Sequence, residues 1–442
     1  MGHTLIINKL GPINSCNISI GHFTVLTGPQ SNGKSTIAKA VYYFRSVKQD
    51  ILQIMMQGGP RNATGLDRAK WEFTLKQRMR DKFLQLFGTS WIMPHDMYME
   101  YTYQKNVSIK VFLQDRREQG EINYVDFDFS IGVREYLQDL EYHAFMDMTL
   151  SQKEHEIREL NKLFDDPYET VFIPAGRNLI TLLSTQLNYI FTSLEGSQLR
   201  SIDYVTKRYL ELILKLKPLF QDGMDGLWEA LKNNPENANK KRRISPAIRL
   251  LLDAAKHILQ GSYKYVDGEE RLYLDNKRYV KINLSSSGQQ EVVWIFNLLF
   301  YYLFEEQRVF LILEEPESHL FPESQRMISE TLSLFANCNN ALLVTTHSPY
   351  VLGTFNYLLL AAQCPRDRQN EVAGIVHKRK WLAQSQTAAY YIHGGTLDDA
   401  LTKEDGLVLI QNELIDGASR SINAYTDSVL EQFEAEGEDG DT

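Results

Sequence analysis

The segment Gly28-Pro29-Gln30-Ser31-Asn32-Gly33-Lys34-Ser35 constrains this chain more than any other stretch of it. Its fixed positions follow the spacing G-x-x-x-x-G-K-[ST]. The short apolar run at residues 22–26 (HFTVL) precedes it, and residues 35–45 (STIAKAVYYFR) follow with apolar side chains at helical spacing. A strand, a glycine-containing loop and a helix in that order gather backbone N–H groups at a helix N-terminus, which is a site for phosphate oxygens. Candidate contacts are Gly28, Pro29, Ser31, Asn32, Gly33, Lys34, Ser35 and Thr36, with Lys34 as a point charge and the Ser35 hydroxyl as a magnesium ligand. The cofactors this implies are ATP and Mg²⁺.

Three further segments extend the pattern. Residues 309–315 (VFLILEE) read as an apolar strand ending in two carboxylates, which strand alternation sends to opposite sides. Glu314 is the candidate metal ligand and Glu315 the candidate for the water that attacks the γ-phosphate. Residues 284–291 place Ser285, Ser286, Ser287 and Gly288 just before a helix, as an N-cap or an anion site. Thr345-Thr346-His347-Ser348-Pro349 follows the next apolar strand, and His347 there is a candidate sensor of the γ-phosphate or the water.

The bulk of the sequence narrows the classes. At 442 residues two lobes sharing one nucleotide-binding unit are expected. No apolar run approaches the roughly 20 residues needed to span a bilayer. The first residues show no secretory pattern, so a cytoplasmic location is expected. Cys16, Cys338 and Cys364 are spaced as neither a disulfide framework nor a zinc site. A net charge of −9 argues against a protein that coats nucleic acid with its whole surface. Lys240-Lys241-Arg242-Arg243 is the one dense basic cluster, open to contact with DNA or a partner, or to plain solvation in a loop. The tail at residues 431–442 is acidic and lacks apolar periodicity after Phe433, so its last residues are expected to be disordered.

Along the chain the spacing predicts a strand at residues 4–8, a break at Gly11-Pro12, an antiparallel meander over 97–131 and one long helix over 132–164. A buried strand at 171–174 leads into Ala175-Gly176-Arg177. Residues 179–259 read as mainly helical, interrupted by a loop or helix tip at 233–243, and 263–284 as a β-hairpin. Helices alternating with strands after residue 291 imply a mainly parallel sheet covered on both faces. The expected divisions are 1–178, an ATPase lobe with phosphate loop, meander and long helix; 179–262, a helical insertion; 263–380, a second ATPase lobe; and 381–442, a helical cap with a disordered tail.

Taken together, the phosphate loop, the Ser-rich segment, Glu-Glu-Pro-Glu-Ser-His-Leu-Phe-Pro at 314–322 and Thr-His-Ser-Pro resemble the ABC-type ATPase heads of the SMC/RecF and OLD (overcoming lysogenisation defect) group. The closer resemblance is to OLD-like ATPases of bacterial anti-phage systems, of the PARIS, Septu and retron-associated type, and residues 392–422 also resemble that group's C-terminal cap. The resemblance implies an α/β fold with a mixed parallel sheet, a β-meander lobe and a helical insertion. It assigns Ser286, Ser287, Gly288 and Gln289 to a signature that meets the nucleotide of a second head, so a homodimer or higher homo-oligomer is implied. It makes residues 316–319 the loop that reaches across that interface and His347 the switch histidine. Gln104 is the candidate for a glutamine on Mg²⁺, and Arg177, in an Ile-Pro-Ala-x-Arg turn, is expected near the nucleotide or in a structural ion pair. Full OLD nucleases carry a Toprim domain with an Asp-x-Asp pair. Fewer than 100 residues follow His347 here, and Asp126-Phe127-Asp128 falls inside a meander strand, so nuclease activity is not expected. The function implied is an ATPase that acts as sensor or scaffold of a defence complex and controls a separately encoded effector, a nuclease being one candidate; the alternative is a RecF/SMC-like ATPase that binds DNA.

Overall fold

The computed structural model describes residues 2–56, 68–116, 121–139, 149–183, 203–275, 277–411, 413–415, 417, 420 and 423–427. Its centre is a six-stranded sheet in the order Thr396–Asp399, Thr387–His393, Phe23–Thr27, Ala341–Thr346, Val309–Glu314, Glu169–Ile173. All neighbouring pairs are parallel except the one made by the Thr396–Asp399 edge. The inner strands FTVLT, VFLILE and ALLVTT are apolar without alternation because both faces are covered. Their side chains feed two cores in turn. Val25, Leu311, Leu313, Leu342 and Val344 join one buried cluster, while Leu26, Phe310, Ile312 and Leu343 join the other.

On the second of these faces lie helix Lys34–Arg45 and a five-stranded antiparallel sheet, ordered Ile13–Ile20, His3–Leu10, Tyr98–Gln104, Val107–Arg116, Glu121–Phe129. On the first lie helices Ala238–Leu259, Ser287–Phe304, Pro322–Ala336 and Pro349–Gln363. The fold is therefore α/β, with a mixed central sheet, an antiparallel sheet and many helices. The helical stretch after residue 203 is not set apart from the rest: Tyr209, Phe220, Trp228 and Ile248 share one core with Trp294 and Phe300 of helix Ser287–Phe304. Among the described residues no helix is long and apolar enough to cross a membrane.

Several local expectations are corrected. The strand Ile13–Ile20 was not foreseen, because INSCNISI carries polar residues on its outer face and only its partner His3–Leu10 fixes it as sheet. In place of one long helix at 132–164 the described residues there form two, Ile131–Asp139 and Leu150–Leu163, and Thr149 starts the second with a capping box closed by Gln152. The break at 233–243 is only a 3₁₀ turn, Pro235–Asn237, and Lys240 to Arg243 lie in the first turns of helix Ala238–Leu259. The segment from 387 does not begin as a helical cap: Thr387–His393 pairs with Phe23–Thr27 and extends the central sheet, Leu401–Glu404 with Leu407–Ile410 forms a separate hairpin, and helical residues are described only from 413 on. The expected disordered tail at 431–442 lies outside the described residues.

Candidate active site

Parallel pairing brings four strand ends to one edge. Thr346 lies opposite Thr27, Glu314 opposite Thr345, and Leu313 opposite Ile173. The phosphate loop, the paired glutamates, the Thr-His-Ser-Pro segment and the turn at 174–177 therefore leave the sheet together, at the edge where open α/β sheets bind ligands.

The loop is built on left-handed backbone: φ is 136° at Gly28, 62° at Ser31 and 102° at Gly33. A Cβ at Gly28 would strike the Ile392 carbonyl and one at Gly33 the Ile13 side chain, so close approach requires both glycines. Gly33 is the N-cap of helix Lys34–Arg45 and supplies no side-chain cap, which leaves first-turn N–H groups for a ligand. Lys34 Nζ donates to the carbonyls of Gly28 (2.8 Å) and Pro29 (2.7 Å). Burial lowers its pKa to about 8, against the opposing pull of Glu315 and Glu317. Thr36 stands beside Gly11 in the first hairpin turn.

The glutamate pair parts at the end of the strand: Glu314 is its last residue, and Glu315 leaves it on left-handed backbone. Glu314 is buried: Oε2 accepts the Ala175 N–H (3.2 Å), the nearby Ser35 hydroxyl favours the charged carboxylate, and among the described residues Oε1 has no partner. Burial raises its pKa, and the bonds from Ser35 and Ala175 oppose that rise. A buried carboxylate oxygen without a partner is costly, and a cation held by Glu314 and Ser35 removes the cost. No three His, Cys, Asp or Glu side chains converge on a metal position among the described residues. The hard oxygen donors of Glu314 and Ser35 are of the kind that would suit Mg²⁺.

Glu315 sits just past the strand at a left-handed φ of 43°, its N–H donating to the Thr345 carbonyl (2.9 Å). Its Oε1 is 3.4 Å from His347 Nε2, and its Oε2 accepts from the Ser318 hydroxyl (3.3 Å). Burial, and then the Lys34 charge, lower the His347 pKa, so the imidazole is neutral at pH 7. Ser286 caps helix Ser287–Phe304: its Oγ accepts the Gln289 N–H (3.3 Å), and Gln289 Oε1 accepts the Ser286 N–H (3.0 Å). Gln289 Nε2 also donates to the Leu259 carbonyl (2.7 Å), so that amide is spent on holding the turn. Ser286 and Ser287 stay exposed, and Gly288 lies against the His319 carbonyl, 2.7 Å from where a Cβ would be.

Two expected contacts are not made. Arg177 is fully buried and gives its N–H groups to the carbonyls of Glu291, Pro174, Glu314 and Glu315, leaving it no reach toward a nucleotide. The ion-pair alternative describes it better, since Glu291 Oε2 is 3.0 Å from its Nε. Gln104 donates to the carbonyls of Lys162 (2.8 Å) and Leu163 (2.7 Å), where it closes the end of helix Leu150–Leu163. Its strand runs antiparallel to His3–Leu10, with Thr102 opposite Thr4, so Gln104 lies about 20 Å along the sheet from the phosphate-loop end. Asp126 and Asp128 stay on the meander: the Gln114 amide donates to Asp126, and Arg134 pairs with Asp128.

Residues 1–352 match the AAA ATPase domain family. The chain belongs to that family. No curated protein matches it. Among solved structures, an Smc head domain with an extended coiled coil, bound to the C-terminal domain of ScpA from Pyrococcus furiosus, is similar at 12% identity and TM-score 0.37, covering 96% of this chain and 98% of that one. An SMC head domain from Thermotoga maritima is similar at 14% identity and TM-score 0.33, covering 93% and 98%.

In this AAA ATPase two contributions escaped the sequence reading. Glu317 is buried, its Oε1 accepting the Thr346 hydroxyl (2.6 Å) and the His347 N–H (2.9 Å), so it ties the loop at 316–319 to the histidine. The Glu-Pro-Glu spacing was the available signal. The turn at Gly394-Gly395 braces the phosphate loop: the Gly394 N–H donates to Asn32 Oδ1 (2.9 Å), and the Gly395 carbonyl accepts the Asn14 N–H (2.8 Å). Nothing local in the sequence announces that contact, which spans more than 360 residues.

Proposed function

We propose that this chain binds and hydrolyses ATP at the shared sheet edge, and that two copies close head to head over the nucleotides. What supports the reading is the convergence there of Lys34, the Ser35–Glu314 pair and the Glu315–His347 pair. The loop N–H groups and Lys34 hold the β- and γ-phosphates. Glu314 and Ser35 would hold Mg²⁺, which would neutralise charge on the phosphate oxygens. Glu315 Oε1 orients the attacking water and takes its proton, and neutral His347 steadies that carboxylate. Ser286 and Ser287, exposed at their helix N-terminus, close on the γ-phosphate bound by the other copy. Glu315→Gln is expected to keep ATP affinity, slow single-turnover hydrolysis by about 10²–10⁴-fold and trap the ATP-closed pair. Hydrolysis at the normal rate in that variant would remove Glu315 from its role.

At a finer level the chain is a cytoplasmic ATP-dependent sensor or scaffold that governs a separately encoded effector in an anti-phage complex. The resemblance of its Glu-Glu-Pro-Glu-Ser-His and Thr-His-Ser-Pro segments to OLD-like ATPases supports this. Purification with its gene neighbours, with and without ATP, tests it, and a chain that stays alone in every nucleotide state counts against it. The DNA-binding alternative loses support at the basic cluster, where Arg243 is engaged by Glu306 and Lys240 lies over the Phe304 ring.

A further inference from the structure

Arg177 spends its guanidinium on main chain. Its Nη1 donates to the carbonyls of Pro174 (2.8 Å) and Glu314 (2.6 Å), and its Nη2 to that of Glu315 (2.8 Å). It therefore fixes where the backbone of the two active-site glutamates lies while leaving their carboxylates free. Glu315 needs such a hold, because a left-handed φ of 43° is disfavoured for a residue with a Cβ. The same arginine is anchored from the other side by Glu291, which belongs to the helix that begins at Ser287. Glu291 is itself fully buried, and its Oε1 accepts the Asn178 N–H (3.1 Å). A second tie runs alongside, with the Thr181 hydroxyl donating to the Gln290 carbonyl (3.1 Å).

The contact between the two charges is not closed. Arg177 Nε directs its hydrogen to the Glu291 carbonyl (3.2 Å), while Glu291 Oε2, at 3.0 Å, makes no hydrogen bond among the described residues. A small turn or slide of the helix would give that oxygen the bond it lacks and draw the guanidinium, with both glutamate carbonyls, along with it. Glu291 lies one helical turn beyond Ser287, so whatever seizes the exposed serines moves Glu291 as part of one rigid element.

We propose that Arg177 and Glu291 form a relay through which engagement of a subunit's signature serines sets the position of that same subunit's Glu315. This rests on the head pairing proposed above. In a pair, the serines of each copy meet the nucleotide of the other, so the relay makes hydrolysis at one site depend on occupancy of the second. Arg177 and Glu291 are then positioning residues whose loss uncouples the sites without emptying them.

The test is steady-state ATP hydrolysis by the full chain against ATP concentration, with pairing followed by native mass. The wild type is expected to show a Hill coefficient above one. Glu291→Gln and Arg177→Lys are expected to bind ATP unchanged, to lose about 10²-fold in kcat because Glu315 is misplaced by a fraction of an ångström to an ångström, and to show a Hill coefficient below that of the wild type, what is left coming from ATP-driven pairing alone. Each change, added to Glu315→Gln, should still pair with ATP. A wild-type Hill coefficient in either variant overturns the relay. So does activity that falls only in proportion to lost folded protein with cooperativity intact, which marks a folding clamp. Failure of Glu315→Gln alone to pair at any ATP concentration overturns the head-pairing reading instead, and the relay with it.

Discussion

Lys34 illustrates how far a motif reaches and where it stops. The spacing of the phosphate loop places this lysine beside a phosphate, but only the structure gives its environment, buried and bonded to two carbonyls. With a folded pKa near 8 and an ordinary value of 10.5, the unfolded chain binds more protons than the folded one between those limits. The Lys34 contribution to stability therefore rises with pH across that window, and its buried charge is a standing cost at neutral pH. ATP supplies the negative oxygens that restore the charged form. Binding at about pH 9 is expected to take up a proton, and affinity to fall as pH climbs above about 8. Calorimetric titrations in buffers of different ionisation enthalpy measure that uptake. In Lys34→Arg, which stays charged, the uptake should vanish; if it persists, another group is responsible. Arg177 shows the opposite limit. Its residue type and turn were legible, but the direction of its side chain was set by Glu291 and by carbonyls more than 100 residues away, which no local pattern encodes.

At the scale of elements, the strands that could be read were those whose pattern states their environment. FTVLT, VFLILE and ALLVTT are mainly apolar and β-branched with no alternation, so a buried parallel strand is the economical reading. Thr387–His393 is only partly buried, and its identity comes from pairing with Phe23–Thr27, 364 residues before it at the Thr387–Phe23 register. That pairing puts the Ile392 carbonyl directly behind Gly28, so the strand mistaken for a helical cap shapes the phosphate loop. Gly28→Ala is the corresponding prediction. The added methyl meets backbone, which cannot swing aside, at a φ of 136° that only glycine adopts easily. A loss on the order of 3 kcal/mol or more is expected, with ATP binding abolished, and thermal melts alongside nucleotide titration would detect both. Wild-type melting and affinity in that variant would mean that the C-terminal strand does not sit against the loop.

For the molecule as a whole, the question is what joins two copies. Leu284 and Phe321 are 74% and 76% exposed and flank the exposed serines, because Gly288 rests on the His319 carbonyl and Leu320. In a two-fold pair each surface appears twice, so four large side chains leave water together. At about 1.5–3 kcal/mol each they contribute about 6–12 kcal/mol at most. Association costs on the order of 4–15 kcal/mol, so these side chains alone leave pairing marginal. Nucleotide must supply the difference, through the phosphate contacts made by the serines of the second copy. The chain is therefore expected to run as a single copy without ATP and to double in mass as Glu315→Gln with ATP. Adding Phe321→Asp to that variant places a carboxylate in the apolar surface that pairing would bury. ATP binding by one copy should be untouched while the doubling is lost, which native mass measurement and nucleotide titration read separately. Doubling that survives Phe321→Asp, and Leu284→Asp as well, would place the contact between copies on another face and detach the signature serines from a partner's nucleotide.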